Sequence, residues 1–212
     1  ALPEQSHEGC RPWQPCPHIS APAFALASWK YKFACLLRVC RSAKQNIRDD
    51  FQNMFLESYG ERFELQRTLE KRSLEHTLEK FGSSADADTL SNMMFEHWIK
   101  PPIFEESKAF FETSPLPVYI VSNIDTSDIL KAIEYLGLKP SGVFTSEDAR
   151  SYKPRCELFE LALKGTGLKP DEVIHIGDSV SSDIKGAAAV NIRALWLNRF
   201  GKEVPNGIVS IS

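Results

Sequence analysis

The chain has 212 residues, 42% of them hydrophobic and 25% charged, which is the composition of a globular protein with one sizeable core or a core and a small second domain. Its 25 Lys and Arg against 28 Asp and Glu leave a formal charge of −3, so charge gives no case for nucleic acid or an anionic membrane surface as a partner. No apolar run approaches the roughly 20 residues that span a bilayer, and the stretch from Ala1 to Ile19 lacks the apolar segment of a secretory signal, so the expected location is the cytoplasm. The cysteines Cys10, Cys16, Cys35, Cys40 and Cys156 fit no disulfide framework, and Cys10, Cys16 and His18 do not have a zinc spacing.

Residues 1–22 hold Pro3, Pro12, Pro15, Pro17 and Pro22 with little periodicity and read as an irregular arm. Residues 23–42 turn apolar, and Phe33 to Leu37 has the composition of a short buried strand. From Ala43 a helical period sets in, with Ile47, Phe51, Met54, Phe55 and Tyr59 on one face and a stop at Gly60. A second helix is expected from Glu61 to Phe81, its inward face Phe63, Leu65, Leu69, Leu74, Leu78 and Phe81, stopped at Gly82. A third should run from Ala87 to Ile99, with Leu90, Met93, Met94 and Trp98 inward, and Pro101-Pro102 ends it. Residues 43–100 therefore form an almost purely helical unit.

From residue 101 to the end the pattern changes to alternation. Helices are expected over Phe104–Glu112, Ser127–Leu136, Cys156–Lys164 and Asp183–Val190, with Gly137 and Gly165 as stops. Strands are expected over Val118–Val121, Val143–Phe144, Val173–Ile176 and Arg193–Leu197. Alternation at this spacing predicts an α/β fold, a Rossmann-like parallel sheet with helices on both faces. Ligands of such sheets bind at the carboxyl ends of the strands.

Three groups of polar residues fall at those ends. Ser122 and Asn123 follow the strand ending at Val121, where a hydroxyl and backbone N–H groups can bind an anion; the plainer role is a turn, with Asp125, Thr126 or Ser127 capping the next helix. Lys153 precedes Pro154, a residue suited to a first helical turn, so Lys153 sits at a helix entrance and can reach the same anion, unless it is only a solvated surface lysine. Gly177-Asp178-Ser179-Val180-Ser181-Ser182-Asp183 places two carboxylates where a strand turns into a helix, a donor set for a hard cation such as Mg2+ completed by water and phosphate oxygens. His175, alternating within its strand, reads as packed or hydrogen-bonded. Tyr59, His97 and Trp98 could face the site from the helical unit, although amphipathic packing accounts for the aromatics equally well.

In this order, Ser122-Asn123 after a strand, then Lys153-Pro154, then Gly177-Asp178 through Asp183 after another strand, the chain from about Ile103 to Leu197 resembles the core of the haloacid-dehalogenase-like (HAD) hydrolases. The unit over residues 43–100 is similar to the helical cap of one subgroup. The resemblance implies a Mg2+-dependent phosphatase acting on a small phosphorylated molecule. Ser122, Asn123 and Lys153 would hold the phosphate, Lys153 would neutralise charge, and Asp178 and Asp183 would hold Mg2+. It also implies an aspartate nucleophile at the end of the first strand and an acid–base aspartate two residues later. The acidic form of the Gly177–Asp183 segment is similar to the phosphatases, which places dehalogenation behind.

That first motif is missing. No aspartate precedes Asp49, and Asp49 and Asp50 fall inside a helical pattern. Where the motif should lie stands Phe33-Ala34-Cys35-Leu36-Leu37-Arg38-Val39-Cys40-Arg41-Ser42, with Arg38 and Cys40 in the two aspartate places and Ser42 near the threonine's. A cationic Arg38 cannot attack phosphorus. Three readings stay open: an impaired member of a phosphatase lineage, a non-catalytic relative that binds phosphate or a protein, and a mis-joined or truncated form of an active enzyme.

Overall fold

The computed structural model describes the backbone from Arg41 to Ser212 and the side chains from Asp49 onward. The expected arm over residues 1–22 and the expected strand over Phe33–Leu37, with Arg38 and Cys40, lie outside the described residues; of Ser42 only the helical backbone is described.

The first part of the described chain is helical. α1 is Arg41–Glu57, α2 is Gln66–Lys80 and α3 is Ala87–Ile99. The second expected helix begins later than its pattern suggests. A 3-10 turn, Gly60–Arg62, intervenes, and Gly60 takes φ +60°, a backbone state that glycine reaches without steric cost. α2 and α3 pack through Leu74, Leu78, Met94, Phe95 and Trp98. Three residues expected inside are out: Leu65, Phe81 and Met93 are exposed, while Phe95, not expected inside, is buried. Trp98 is consumed in this helix–helix core.

The rest alternates. α4 (Glu105–Thr113) leads to β1 (Tyr119–Ser122), α5 (Thr126–Leu136), β2 (Gly142–Thr145) and the single turn α6 (Ser146–Ala149). α7 (Glu157–Thr166) is followed by β3 (Ile174–Gly177), a π-helical turn Val180–Ile184, α8 (Lys185–Ala189), β4 (Arg193–Leu197) and β5 (Ser210–Ile211). All pairings among the described strands are parallel: β1 with β2, β3 with β4, β4 with β5. The ladders form a two-stranded and a three-stranded sheet. Phe159 of α7 joins them, since its cluster includes Val121 of β1 and Ala194 of β4.

α7 runs through Gly165, the expected stop, and ends at Gly167 with φ +70°. The reason is packing: a Cβ on Gly165 would overlap the ring of Phe144, so the glycine admits close contact between helix and β2. Asp183 also departs from expectation, lying in the π-helical turn before α8. No helix among the described residues is long and apolar enough to cross a membrane.

Candidate active site

Lys153 is the centre of the site. It is not the solvated surface residue that a turn lysine usually is: it is 7% exposed. Pro154 lies in the turn before α7, not in the helix. Its Nζ donates to the carbonyl of Val121 at 2.8 Å and to Asp183 Oδ1 at 2.7 Å. Asn123 grips the same residue by its peptide. Lys153 N–H donates to Asn123 Oδ1 at 2.7 Å, and Asn123 Nδ2 donates to the Lys153 carbonyl at 3.0 Å. The end of β1 and the turn at Lys153 are thereby one unit. The hydroxyl of Ser122, at the last position of β1, takes no hydrogen bond from the described residues.

Asp183 closes the other side. Oδ1 accepts from Lys153 and meets His175 Nε2 at 3.1 Å; Oδ2 accepts from the Ser179 backbone N–H at 3.0 Å. His175 is seated edge-on against Phe159, as the packed reading of it expects. Burial alone would push the Asp183 carboxyl up, but the His175 hydrogen bond and the Lys153 charge outweigh it and hold the group well below the usual carboxylate range. Gly177 makes this geometry possible, because a Cβ there would overlap the Asp183 side chain.

Asp178 has the opposite environment. It is open to solvent, yet ringed by enough protein that desolvation pushes its carboxyl up, and the like charge of Asp183 adds to this. Lys153 and Arg199 pull weakly the other way. Its backbone is fixed by Trp196, whose indole N–H donates to the Asp178 carbonyl at 3.0 Å. Asp178 makes no ion pair among the described residues. A carboxylate left in a like-charged field is suited to a cation. The donor set is small: among the described residues no three His, Cys, Asp or Glu side chains gather into a metal-binding group. Mg2+ commonly needs only one or two carboxylates, with waters and phosphate oxygens completing the shell, and Asp178 fits as such a ligand. Asp183 differs, since both of its oxygens already accept from the protein.

Of the expected site residues, Asn123, Lys153 and Asp183 are joined directly by hydrogen bonds; Ser122 precedes Asn123 at the end of β1, and Asp178 feels the charges of Lys153 and Asp183. Trp196 and Arg199 were not expected there. Their signal was position, at and just past the carboxyl end of the last long strand. Arg199 is bound toward α4, with Nε 3.2 Å from Glu106 Oε1 and its guanidinium 4.0 Å from the centre of the Phe104 ring.

Sequence comparison places this site in a family context. Residues 30–191 match the haloacid dehalogenase-like hydrolases. The haloacid dehalogenase-like hydrolase domain-containing protein 3 of Danio rerio is 31% identical over 120 residues, 53% of this chain and 49% of that protein. The phosphoserine phosphatase of Thermus thermophilus is 27% identical over 135 residues, 61% of this chain and 54% of that enzyme. The chain thus spans about half the length of these curated relatives. The crystal structure of an L-2-haloacid dehalogenase superposes with a TM-score of 0.68 over 86% of this chain and 84% of that one; at 19% identity the likeness is one of α/β Rossmann-like fold.

Proposed function

Since the chain belongs to the haloacid dehalogenase-like hydrolases, with residues 30–191 inside the family match, we propose that it carries the phosphate- and Mg2+-holding half of a phosphatase site and turns over phosphate esters negligibly. The substrate class of the lineage is a small phosphorylated metabolite in the cytoplasm. Residues 43–100 act as a cap over the site.

One observation carries this reading. A buried ammonium group is fixed at the carboxyl ends of two strands by Val121 and Asp183. An ammonium has three donors, so one N–H of Lys153 is left for a bound anion. The Ser122 hydroxyl supplies a further donor beside it, and Asn123 holds the Lys153 peptide so that both face one ligand. Asp178 is the carboxylate that would hold Mg2+, and Asp183 serves by holding Lys153. When bound, Mg2+ would neutralise charge on phosphoryl oxygens. Phosphatase relatives in sequence, against dehalogenase likeness in fold alone, favour phosphate over a haloacid.

The nucleophile is what the chain lacks. Asp49 and Asp50 lie within α1, and no aspartate precedes them. Calorimetric titration with inorganic phosphate and Mg2+ tests the proposal. The wild-type chain binds phosphate, Lys153→Ala abolishes binding, and Asp178→Asn removes its dependence on Mg2+. Absence of phosphate binding in the wild type overturns the site. Hydrolysis of p-nitrophenyl phosphate at ordinary enzymatic rates, abolished by Asp178→Asn, overturns the silence.

A further inference from the structure

α2 begins without a cap of its own. The residue at its cap position is Leu65, whose side chain cannot accept a hydrogen bond, and the first N–H groups of a helix need an acceptor. The acceptor comes from far along the chain. Asp125 Oδ1 takes the Gln66 N–H at 2.7 Å and Oδ2 takes the Arg67 N–H at 3.0 Å. One residue triplet later, Asp128 takes the Arg67 guanidinium with both oxygens, at 2.7 and 2.6 Å, and Arg67 lies 4.4 Å from the centre of the Phe95 ring of α3. The two aspartates are 2% and 0% exposed. Asp125 stands at the cap position of α5, yet makes no cap bond there; Glu147 Oε2 takes the Thr126 N–H at 2.7 Å instead.

A second anchor lies opposite. Tyr152 donates to the Glu64 carbonyl at 2.8 Å, and its ring stacks on Phe55 at 4.0 Å. The Gly60 N–H donates to the Arg150 carbonyl at 2.8 Å. Asp125 follows Asn123 by two residues, and Tyr152 precedes Lys153 by one. The two anchors of the helical segment thus straddle the Asn123–Lys153 pair.

We infer that Asp125 and Asp128 are positioning residues: they latch the helical segment to the loop after β1 and through it keep the Asn123–Lys153 bracket closed around the anion pocket. The pocket's identity rests on the proposed function; the latch does not. Each bond in it is accepted by a carboxylate that is itself buried, and hydrogen bonds to such groups are the ones whose loss is felt most strongly. A displacement of α2 pulls on Asp125 and so on the backbone that presents Asn123.

Amide hydrogen exchange on the full chain tests this. In Asp125→Ala the Gln66 and Arg67 amides exchange faster, and the Lys153 amide, which Asn123 accepts, loses about tenfold in protection. Asp125→Asn keeps one acceptor and recovers part of that protection. Leu74→Ala, which loosens the α2–α3 core but keeps every hydrogen bond of the latch, leaves the Lys153 amide protected as in the wild type. A Lys153 amide unchanged in both Asp125 variants, or loosened equally by Leu74→Ala, overturns the latch. Inorganic phosphate added to the wild type slows the Lys153 amide if the pocket is as proposed; a failure there, with the Asp125 effect intact, sinks the pocket and spares the latch.

Discussion

Lys153 Nζ and Asp183 Oδ1 lie 2.7 Å apart, with the two side chains 9% and 8% exposed. A buried pair is not in itself a large source of stability, because desolvation offsets the attraction, but breaking one by removing a single partner leaves an uncompensated charge. Asp183→Asn leaves the buried Lys153 charge without a counter-charge and costs about 3 kcal/mol. Lys153→Met leaves Asp183 with Ser179 and His175 and costs less, about 2 kcal/mol. The double variant costs less than the sum. Urea denaturation of the four proteins gives the cycle, and strictly additive losses show that the two groups do not depend on each other.

The same pair sets the acid response. In the unfolded chain the Asp183 carboxyl titrates near its ordinary value of 3.8; in the folded chain it is held well below. The native state therefore binds fewer protons than the unfolded state between those two values. Stability from this group is complete above 3.8 and is lost as pH falls through the window beneath it. Asp125 works in the opposite sense. Burial pushes its carboxyl up, against the pull of the Arg67 and Gln66 N–H groups, so its ionisation costs stability and acidification relieves that cost. Denaturation measured from about pH 6 to about pH 3 should show a shallower acid loss in Asp183→Asn than in the wild type. Parallel curves mean that other carboxylates carry the acid response.

Most of the α/β part was legible, and for physical reasons. β4 and α3 have the bounds that their patterns expect, because an apolar run or a helical stripe between clear breakers leaves little choice. Lys153 was harder. A lysine in a Ser-Tyr-Lys-Pro turn reads locally as solvated, and only its two partners, at Val121 and Asp183, make burial tolerable. Those partners are distant in sequence, so no local pattern announces them. Asp125 misled for the same reason: it has the composition of a helix cap and caps a helix, but one that begins 59 residues earlier. Asp183 reads as a site carboxylate from type and spacing, but its partners Lys153, His175 and Ser179 are not in that pattern, because the π-helical turn that aims it toward them is not revealed by spacing.

Gly177 is the residue on which that turn depends. Its φ is not in the left-handed region, so its value here is space and not backbone freedom. A Cβ would fall on the Asp183 side chain, which cannot retreat while Lys153, His175 and Ser179 hold it. Gly177→Ala therefore displaces the carboxylate and costs about 2 kcal/mol, in the range of overpacking at a crowded site. The loss of function should exceed that cost: Lys153 loses its fixed acceptor, and inorganic phosphate binds at least tenfold more weakly, read by titration at a temperature where the variant is fully folded. Gly186→Ala is the comparison, since its Cβ would meet the Phe159 ring and the Pro154 carbonyl instead of Asp183. That variant should lose stability and keep more of its phosphate affinity. Equal losses of affinity in the two would mean that general loosening of the fold, and not the seating of Asp183, weakens the pocket.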